Sequence, residues 1–173
     1  MTACVRTSEP QVSFPLEAQN DPAYFPAYQA ASMQFDGVDN FETKFKSQIT
    51  RITPAFMDAL AKRYQSIWNE PPPILREANQ KTAFFVSLYT ANRELENLGN
   101  SDVWNIQLET SGQILKPSLV KKVKPKERWQ PFFPAINDWS LEFLVVFDYR
   151  LTGNSDPMKL ILSSPDGSVR ADW

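Results

Sequence analysis

The sequence contains no histidine, the side chain that most often serves as a general base or as a transition-metal ligand. Its single cysteine, Cys4, allows no disulfide within the chain and no thiolate zinc cluster. No apolar run approaches the roughly 18–20 residues that a membrane-spanning helix requires. Because no catalytic or metal-binding constellation stands out, the sequence predicts a protein that is not an enzyme and that uses no metal or cofactor.

Charge is nearly balanced, since 18 basic residues face 20 acidic ones and the formal net charge is −2. A domain-wide attraction to nucleic acid is therefore not expected. Apolar residues make up 42% of the chain and aromatic residues 13%, which is enough to bury a core. The 14 prolines against 5 glycines indicate a fold of short elements. A length of 173 residues favours one domain.

The first half of the chain predicts one strand and two or three helices. The alternation in FETKFKSQITRI (residues 41–52) predicts a half-buried strand. Apolar residues spaced by three and four after Pro54 predict a helix capped by Thr53, and ILREANQK predicts a short second one. A further short helix is expected to open at Asp21, with Pro22 at its first position and Pro26 interrupting it.

The second half predicts short strands separated by turns. TAFFVSLYT (82–90) is nearly continuous in apolar residues and indicates a central strand, whereas VWNIQLET directs Trp104, Ile106 and Leu108 to one face. Pro117 is expected to break QILKPSLVKKV or to place it at a sheet edge. Residues 21–173 thus predict a single α+β domain, an immunoglobulin-like antiparallel β-sandwich with helices inserted after the first strand.

Residues 1–20 are expected to form a tether, because the stretch after Cys4 is polar, broken by proline and without period. Thr2, Ala3 and Cys4 match the end of the bacterial lipoprotein signal, with Met1 at the leucine-like position. This match predicts that Cys4 carries lipid and that the protein is anchored to a membrane of the bacterial envelope, since two or more acyl chains make a durable anchor.

A basic segment, KPSLVKKVKPKERW, is the candidate partner-binding site. Its residues are Lys121, Lys122, Lys124, Lys126, Arg128 and Trp129, preceded by Lys116. One interpretation is a patch for an anionic surface, a cell-wall polymer or an acidic partner. The alternative is a solvated edge strand whose lysines prevent edge-to-edge pairing with another chain.

Three weaker candidates remain. Asp36, Asp39 and Glu42 lie close in sequence, but they lack the spacing of a calcium loop, and a turn at Asp36-Gly37 explains them equally well. Asp138 and Glu142 are a nominal acid–base pair with no sign of a shared cleft. The aromatic residues Trp129, Phe132, Phe133 and Trp139 are interpreted as core in preference to a sugar or peptide platform.

Several stretches resemble uncharacterised envelope lipoproteins of Gram-negative bacteria. NFETKFKSQITRITPAFMDALAKRYQ resembles their strand-then-helix block, with Phe56, Ala59 and Tyr64 matching. The similarity extends through VWNIQLETSG and EFLVVF to the closing LILSSPDGSVRADW. In FFP (132–134) the following aromatic of the family is replaced by Ala135. The resemblance implies an envelope location and a lipidated cysteine, but no activity.

Together these features predict a non-enzymatic envelope lipoprotein that acts as a structural or interaction subunit of a periplasmic or outer-membrane assembly. The alternative is a binding module for cell-wall polymer, an anionic surface or peptide. The expected partners are a membrane, through lipid at Cys4, and an envelope protein.

Overall fold

The computed structural model describes residues 17–39, 42–150 and 157–173. Its helices are α1 (Phe25–Ala31), α2 (Pro54–Trp68) and α3 (Ile74–Ala78). Its strands are β1 (Ser32–Asp39), β2 (Glu42–Arg51), β3 (Thr82–Thr90), β4 (Asn105–Thr110), β5 (Gln113–Leu115), β6 (Leu119–Lys122), β7 (Leu141–Phe147), β8 (Met158–Ser164) and β9 (Gly167–Asp172). Short 3-10 helices span Ala18–Asn20, Arg93–Leu95 and Lys126–Arg128. Cys4 and residues 1–16 of the expected tether lie outside the described residues.

The strands form two antiparallel sheets. The first has the order β1-β2-β3-β7-β6 and the second the order β5-β4-β8-β9. One apolar cluster lies between the sheets, and a second one joins the outer face of the five-stranded sheet to the helices. The described chain therefore has three layers, helices, five strands and four strands, and the predicted α+β β-sandwich is confirmed at this level.

The core between the sheets follows the alternation expected from the sequence. Trp104, Ile106 and Leu108 are all buried there, and the Trp104 ring meets that of Phe45 edge-on at a centroid distance of 5.4 Å. The Trp104 indole also donates a hydrogen bond of 3.1 Å to the Leu95 carbonyl. The partners from the facing strands include Ile49, Phe84, Val86, Phe143, Val145, Leu160, Leu162, Val169 and Ala171.

The core beneath the helices is rich in aromatic rings. Phe56, Leu60 and Tyr64 of α2 are fully buried against the outer face of the sheet. Phe85 of β3 stacks on Phe133 with ring centroids 3.7 Å apart. The core interpretation is therefore confirmed for Trp129, Phe132 and Phe133, which are buried in this layer. It is wrong for Trp139, which is 77% exposed.

The first helix begins later than expected. Asp21 Oδ1 accepts hydrogen bonds from the backbone N–H groups of Ala23 and Tyr24, and the Phe25 N–H donates to the Asp21 carbonyl at 2.9 Å, so Asp21 caps a turn that precedes the helix. Helix α1 then starts at Phe25, and Pro26 occupies its first turn, where a missing N–H costs nothing. The prediction that Pro26 interrupts the helix is therefore wrong.

Strand β1 is not predicted by the sequence pattern, and it covers Asp36 and Gly37, the two residues at which a turn is expected. The turn prediction is wrong, because both residues pair with β2 and the register shifts directly after Gly37. A Cβ on Gly37 would lie 2.5 Å from Cε1 of Phe45, so a glycine is required where this ring covers the strand. The strand expected to be the first of the chain is therefore the second, β2, and the helices α2 and α3 follow it.

Pro117 separates two strands that belong to different sheets. β5 is an edge of the four-stranded sheet, and β6 is an edge of the five-stranded one. The expected break at Pro117 is thus confirmed.

Candidate functional site

A groove lies on the outer face of the five-stranded sheet, beside the helical layer. The helices cover the sheet at the level of Phe85 and Leu144. They leave the neighbouring part of the same face open between α1 and the loop before β7. The open space is about 840 Å³, which lies in the range of ligand sites.

The floor of the groove is a row of polar side chains in register. Gln34 on β1 pairs with Gln48 on β2, Gln48 with Ser87 on β3, and Ser87 with Glu142 on β7. These residues face outward because their neighbours in sequence fill the core between the sheets. Three strand spacings of about 4.8 Å make this row about 14 Å long. In the described ranges, neither glutamine amide is used in a hydrogen bond inside the fold.

Glu142, at the β7 end of this row, is only 2% exposed and does not line the open groove. Its Oε1 accepts hydrogen bonds from the hydroxyls of Ser140, at 2.5 Å, and Ser87, at 3.3 Å. Each serine has a single hydroxyl proton, so a proton donated to Glu142 leaves that oxygen as an acceptor. Ser87 and Ser140 both line the groove. The Ser140 hydroxyl has the Asn137 carbonyl, at 3.0 Å, as a second acceptor, so Glu142 orients the Ser87 hydroxyl and shares that of Ser140.

Trp139 forms the most exposed part of the groove rim. Its loop is held by Asn137, whose Oδ1 accepts from the Trp139 N–H at 2.9 Å and whose own N–H donates to Ser140 Oγ at 2.9 Å. Lys126 fastens the same loop from outside, because its Nζ donates to the carbonyls of Asn137, at 2.8 Å, and Asp138, at 2.6 Å. The indole is thus presented to solvent by a fixed backbone.

Further aromatic side chains line the groove opposite the amides. Tyr89, 40% exposed, follows the polar row on β3, while Phe25 and Tyr28 belong to α1. The Tyr28 residue is 3% exposed, and its hydroxyl has no hydrogen-bond partner in the described part of the chain. Burial raises the pKa of Tyr28 to about 12, against a smaller lowering by the nearby Ser32 and Thr50 hydroxyls. Tyr28 is therefore neutral over the physiological range.

The groove carries little charge. Among the described residues that line it, Lys46 is the ionised side chain, and the Glu142 carboxylate lies below it. Amides, hydroxyls and aromatic faces make up much of the rest. Such a surface can hold a ligand by hydrogen bonds and stacking.

The predicted basic site is a separate cleft of about 410 Å³ between α3 and the edge strand β6. Lys121, Lys122, Lys124, Arg128 and Trp129 all line it. Lys121 is paired with Glu77 at 2.5 Å, and Arg128 with Glu70. Lys122 and Lys124 are exposed and lack an acidic partner among the described residues. The structure thus brings five of the six predicted residues together, though two of the charges are already matched.

Two predicted residues have other roles. Lys126 is outside the cleft lining and holds the loop of Trp139. Trp129 is 2% exposed and packs on Tyr64 and Phe132, so it offers no open ring to a partner. Arg128 lies over the rings of Tyr64 and Trp68, at 5.5 and 5.1 Å from their centroids.

Asp138 and Glu142 do not share a cleft, and the side chains of Asp39 and Glu42 lie outside the described part of the chain. Glu142 is buried under the groove, whereas Asp138 is exposed and does not line it. Asp36 lies opposite Lys46 on neighbouring strands. In the described residues no group of three or more acidic or thiol side chains is placed to hold a metal ion.

The sequence interpretation missed the groove. A usable signal exists in β1 and β2, because Gln34, Gln48 and Lys46 share the parity that faces away from the sandwich core. The exposed Trp139 within an Asn-x-Trp-Ser turn is a second signal. Neither one identifies a site until the strands are paired.

Comparison with known proteins gives no relative: no family model, curated protein or solved structure matches this chain. None of the helices in the described ranges has the length and apolar composition needed to cross a bilayer.

Proposed function

We propose that this protein is a non-enzymatic binding module that holds an extended, polar polymer chain in the groove between α1 and the Trp139 loop. The observation that carries the proposal is the in-register row Gln34–Gln48–Ser87, which runs from an exposed to a buried side chain and lines the same groove as the exposed Trp139. A ligand laid across β1, β2 and β3 can use each of these groups in turn.

The arrangement of the sheets as an immunoglobulin-like sandwich is part of this proposal. β2, β3, β7 and β6 follow the order of strands A, B, E and D, and β5, β4, β8 and β9 that of C′, C, F and G, with β1 added at the edge. Trp104, buried one residue before β4, stands where immunoglobulin domains carry a tryptophan on strand C. In this frame the groove lies on the face of the A-B-E-D sheet.

The groove is tested by sedimentation with insoluble cell-wall polymer prepared from Gram-negative bacteria. The protein is the full chain with Cys4→Ser, so that lipid plays no part. We expect it to sediment with the polymer and Trp139→Ala to remain in the supernatant. The matched control is Trp68→Ala, since Trp68 is 40% exposed on α2 and lies outside the groove lining. Equal sedimentation of the two variants would contradict the proposal.

A second candidate function is that of an interaction subunit acting through the edge strand β6. β6 is four residues long, pairs with β7 on one side only and carries exposed lysines. An acidic, extended segment of a partner protein suits this edge, because a strand can be added there by backbone hydrogen bonds. Affinity capture from membranes, with and without Lys122→Glu and Lys124→Glu, tests it.

Location in the bacterial envelope, with lipid on Cys4, completes the proposal. Its support is the sequence Thr2-Ala3-Cys4 and the resemblance to envelope lipoproteins. The protein produced with a lipoprotein signal should partition with membranes into detergent, and Cys4→Ser should release it. Equal partitioning of both forms would argue against the anchor.

A further inference from the structure

We infer that the ligand of the groove is an uncharged glycan chain, with a sugar ring stacked on Trp139 and hydroxyl groups read by the polar floor. This inference rests on the proposed binding function and adds the chemical class of the ligand. Three features support it: the side chains that form the floor, the orientation of the Ser87 hydroxyl toward Glu142, and the fixed position of the Trp139 indole.

Across β2, β3 and β7 the floor offers side chains and no free backbone, because each of these strands is paired on both sides within the sheet. β1 is an edge strand paired with β2 alone. A peptide that binds by strand addition would lie along that edge, whereas a ligand that crosses the strands meets side chains. Recognition here must come from Gln34, Gln48 and Ser87. Each amide presents donors and an acceptor, the combination that matches the neighbouring hydroxyls of a sugar.

Glu142 makes the floor selective for ligands that donate hydrogen bonds. Because Glu142 takes the proton of the Ser87 hydroxyl, the Ser87 oxygen is left as an acceptor, whereas Ser140 Oγ already accepts from the Asn137 N–H. A sugar hydroxyl can donate to such an oxygen and accept from a glutamine amide at the same time. A carboxylate or phosphate group, which only accepts, would find the Ser87 hydroxyl oriented against it.

The aromatic rim suits the apolar face of a sugar ring. The C–H groups on one side of a pyranose meet the negative face of an indole favourably. Trp139 is exposed, and its loop is held by two sets of hydrogen bonds. Asn137 accepts from the Trp139 N–H and donates to Ser140 Oγ, and Lys126 donates to the Asn137 carbonyl. Binding therefore requires little ordering of this loop, which preserves affinity. Lys126 is accordingly a positioning residue and does not itself contact the ligand.

The experiment is a calorimetric titration of the full chain, as Cys4→Ser, with tryptophan fluorescence as a second readout in the variants that keep Trp139. The ligands are oligosaccharides of β-linked N-acetylglucosamine and of glucose, and in a separate arm an uncharged proline-rich peptide. We expect saturable binding of at least one oligosaccharide, with a blue shift as the exposed Trp139 is covered. Trp139→Ala and Gln48→Ala should each raise Kd about tenfold or more, equivalent to the loss of one good contact.

Matched controls are Trp68→Ala and Gln107→Ala, the latter on the outward face of β4 in the other sheet. Both should bind as the parent does. Lys126→Met should weaken binding, and Lys126→Arg should restore it, since either cation can reach the two carbonyls. Wild-type affinity of Lys126→Met would overturn its positioning role.

The outcomes separate the ligand class from the groove itself. Binding of the peptide alone, lost in Trp139→Ala, would overturn the glycan while leaving the groove as the binding site. Sedimentation with cell-wall polymer that depends on Trp139, without binding of any oligosaccharide, would also overturn it. Absence of both sedimentation and titration would overturn the proposed function as a whole.

Discussion

Arg63 joins three parts of the helical layer, and its removal should be strongly destabilising. The side chain is 2% exposed within α2. Its Nη1 lies 2.7 Å from Asp21 Oδ2, and its Nε and Nη2 donate to the Pro131 carbonyl at 3.2 and 3.1 Å. The guanidinium also lies over the rings of Tyr24 and Phe132, 5.4 and 5.9 Å from their centroids.

The magnitude follows from what Arg63→Met leaves behind. Methionine retains much of the stem packing but leaves Asp21 unpaired and the Pro131 carbonyl without its donors. Breaking one side of a buried ion pair costs about 3–5 kcal/mol. The lower end is expected, because the Asp21 side chain is 14% exposed and water can reach it. Against a total of about 5–15 kcal/mol, this is a large fraction.

Thermal and denaturant unfolding, followed by circular dichroism, measure this effect. At 2–4 °C for each kcal/mol in a chain of this size, the midpoint should fall by roughly 6–20 °C. Asp21→Asn and the double variant complete a cycle that isolates the pair. The control is Arg76→Met, an exposed arginine on α3, which should change stability by less than about 0.5 kcal/mol. A midpoint of Arg63→Met within two degrees of wild type would refute this account of the layer.

Three further predictions concern the core, the phenols and the basic edge. Trp104→Ala should cost about 3–5 kcal/mol by denaturant unfolding, because the indole is 3% exposed and hydrogen-bonded, whereas Trp139→Ala should be nearly neutral; similar losses for both would be inconsistent with the sheet faces. Burial raises the pKa of Tyr28 to about 12 in the folded chain, against the ordinary value of 10.0, so Tyr28 ionises at lower pH in the unfolded state. The stability that neutral Tyr28 contributes is therefore complete below pH 10 and is lost between pH 10 and 12. Between pH 10 and 12 the free energy of unfolding of the wild type should fall by about 2–3 kcal/mol more than that of Tyr28→Phe, measured by denaturant unfolding at successive pH values. Parallel plots of unfolding free energy against pH for the two proteins would contradict this prediction. Changing Lys121, Lys122 and Lys124 to Ser should raise self-association, measured by sedimentation velocity, because the edge strand loses its charged side chains. Stability should change little, since exposed ion pairs such as Lys121–Glu77 contribute about 0–1 kcal/mol. An unchanged sedimentation profile would contradict the edge-protection interpretation.

The strands and helices with a clear period were predictable from the sequence. Thr53 accepts from the Phe56 N–H and Pro54 begins α2, as their positions in sequence indicate. The alternation in β4 and β9 gave the correct faces, because one side of each strand is buried between the sheets. β1 escaped prediction because MQFDGVD alternates weakly and contains a glycine whose place is set by the distant ring of Phe45.

The candidate sites divide in the same way. The basic segment was visible as a run of lysines, and its residues remained neighbours because they are close in sequence. The sequence of the segment does not show that Lys126 donates hydrogen bonds to the carbonyls of Asn137 and Asp138, or that Trp129 is buried in the core. Those outcomes depend on where the chain passes, and not on the composition of the segment.

The sequence by itself determined the alternation of the strands, the start of α2 and the burial of a large aromatic core, since each depends on residues close together in the chain. Only the tertiary structure decided the groove. Gln34, Gln48, Ser87 and Glu142 are separated by long stretches of chain, and strand register alone aligns them in one row. Whether that row is open also depends on how far α1 and the Trp139 loop extend over the sheet, which is set by packing between elements distant in sequence.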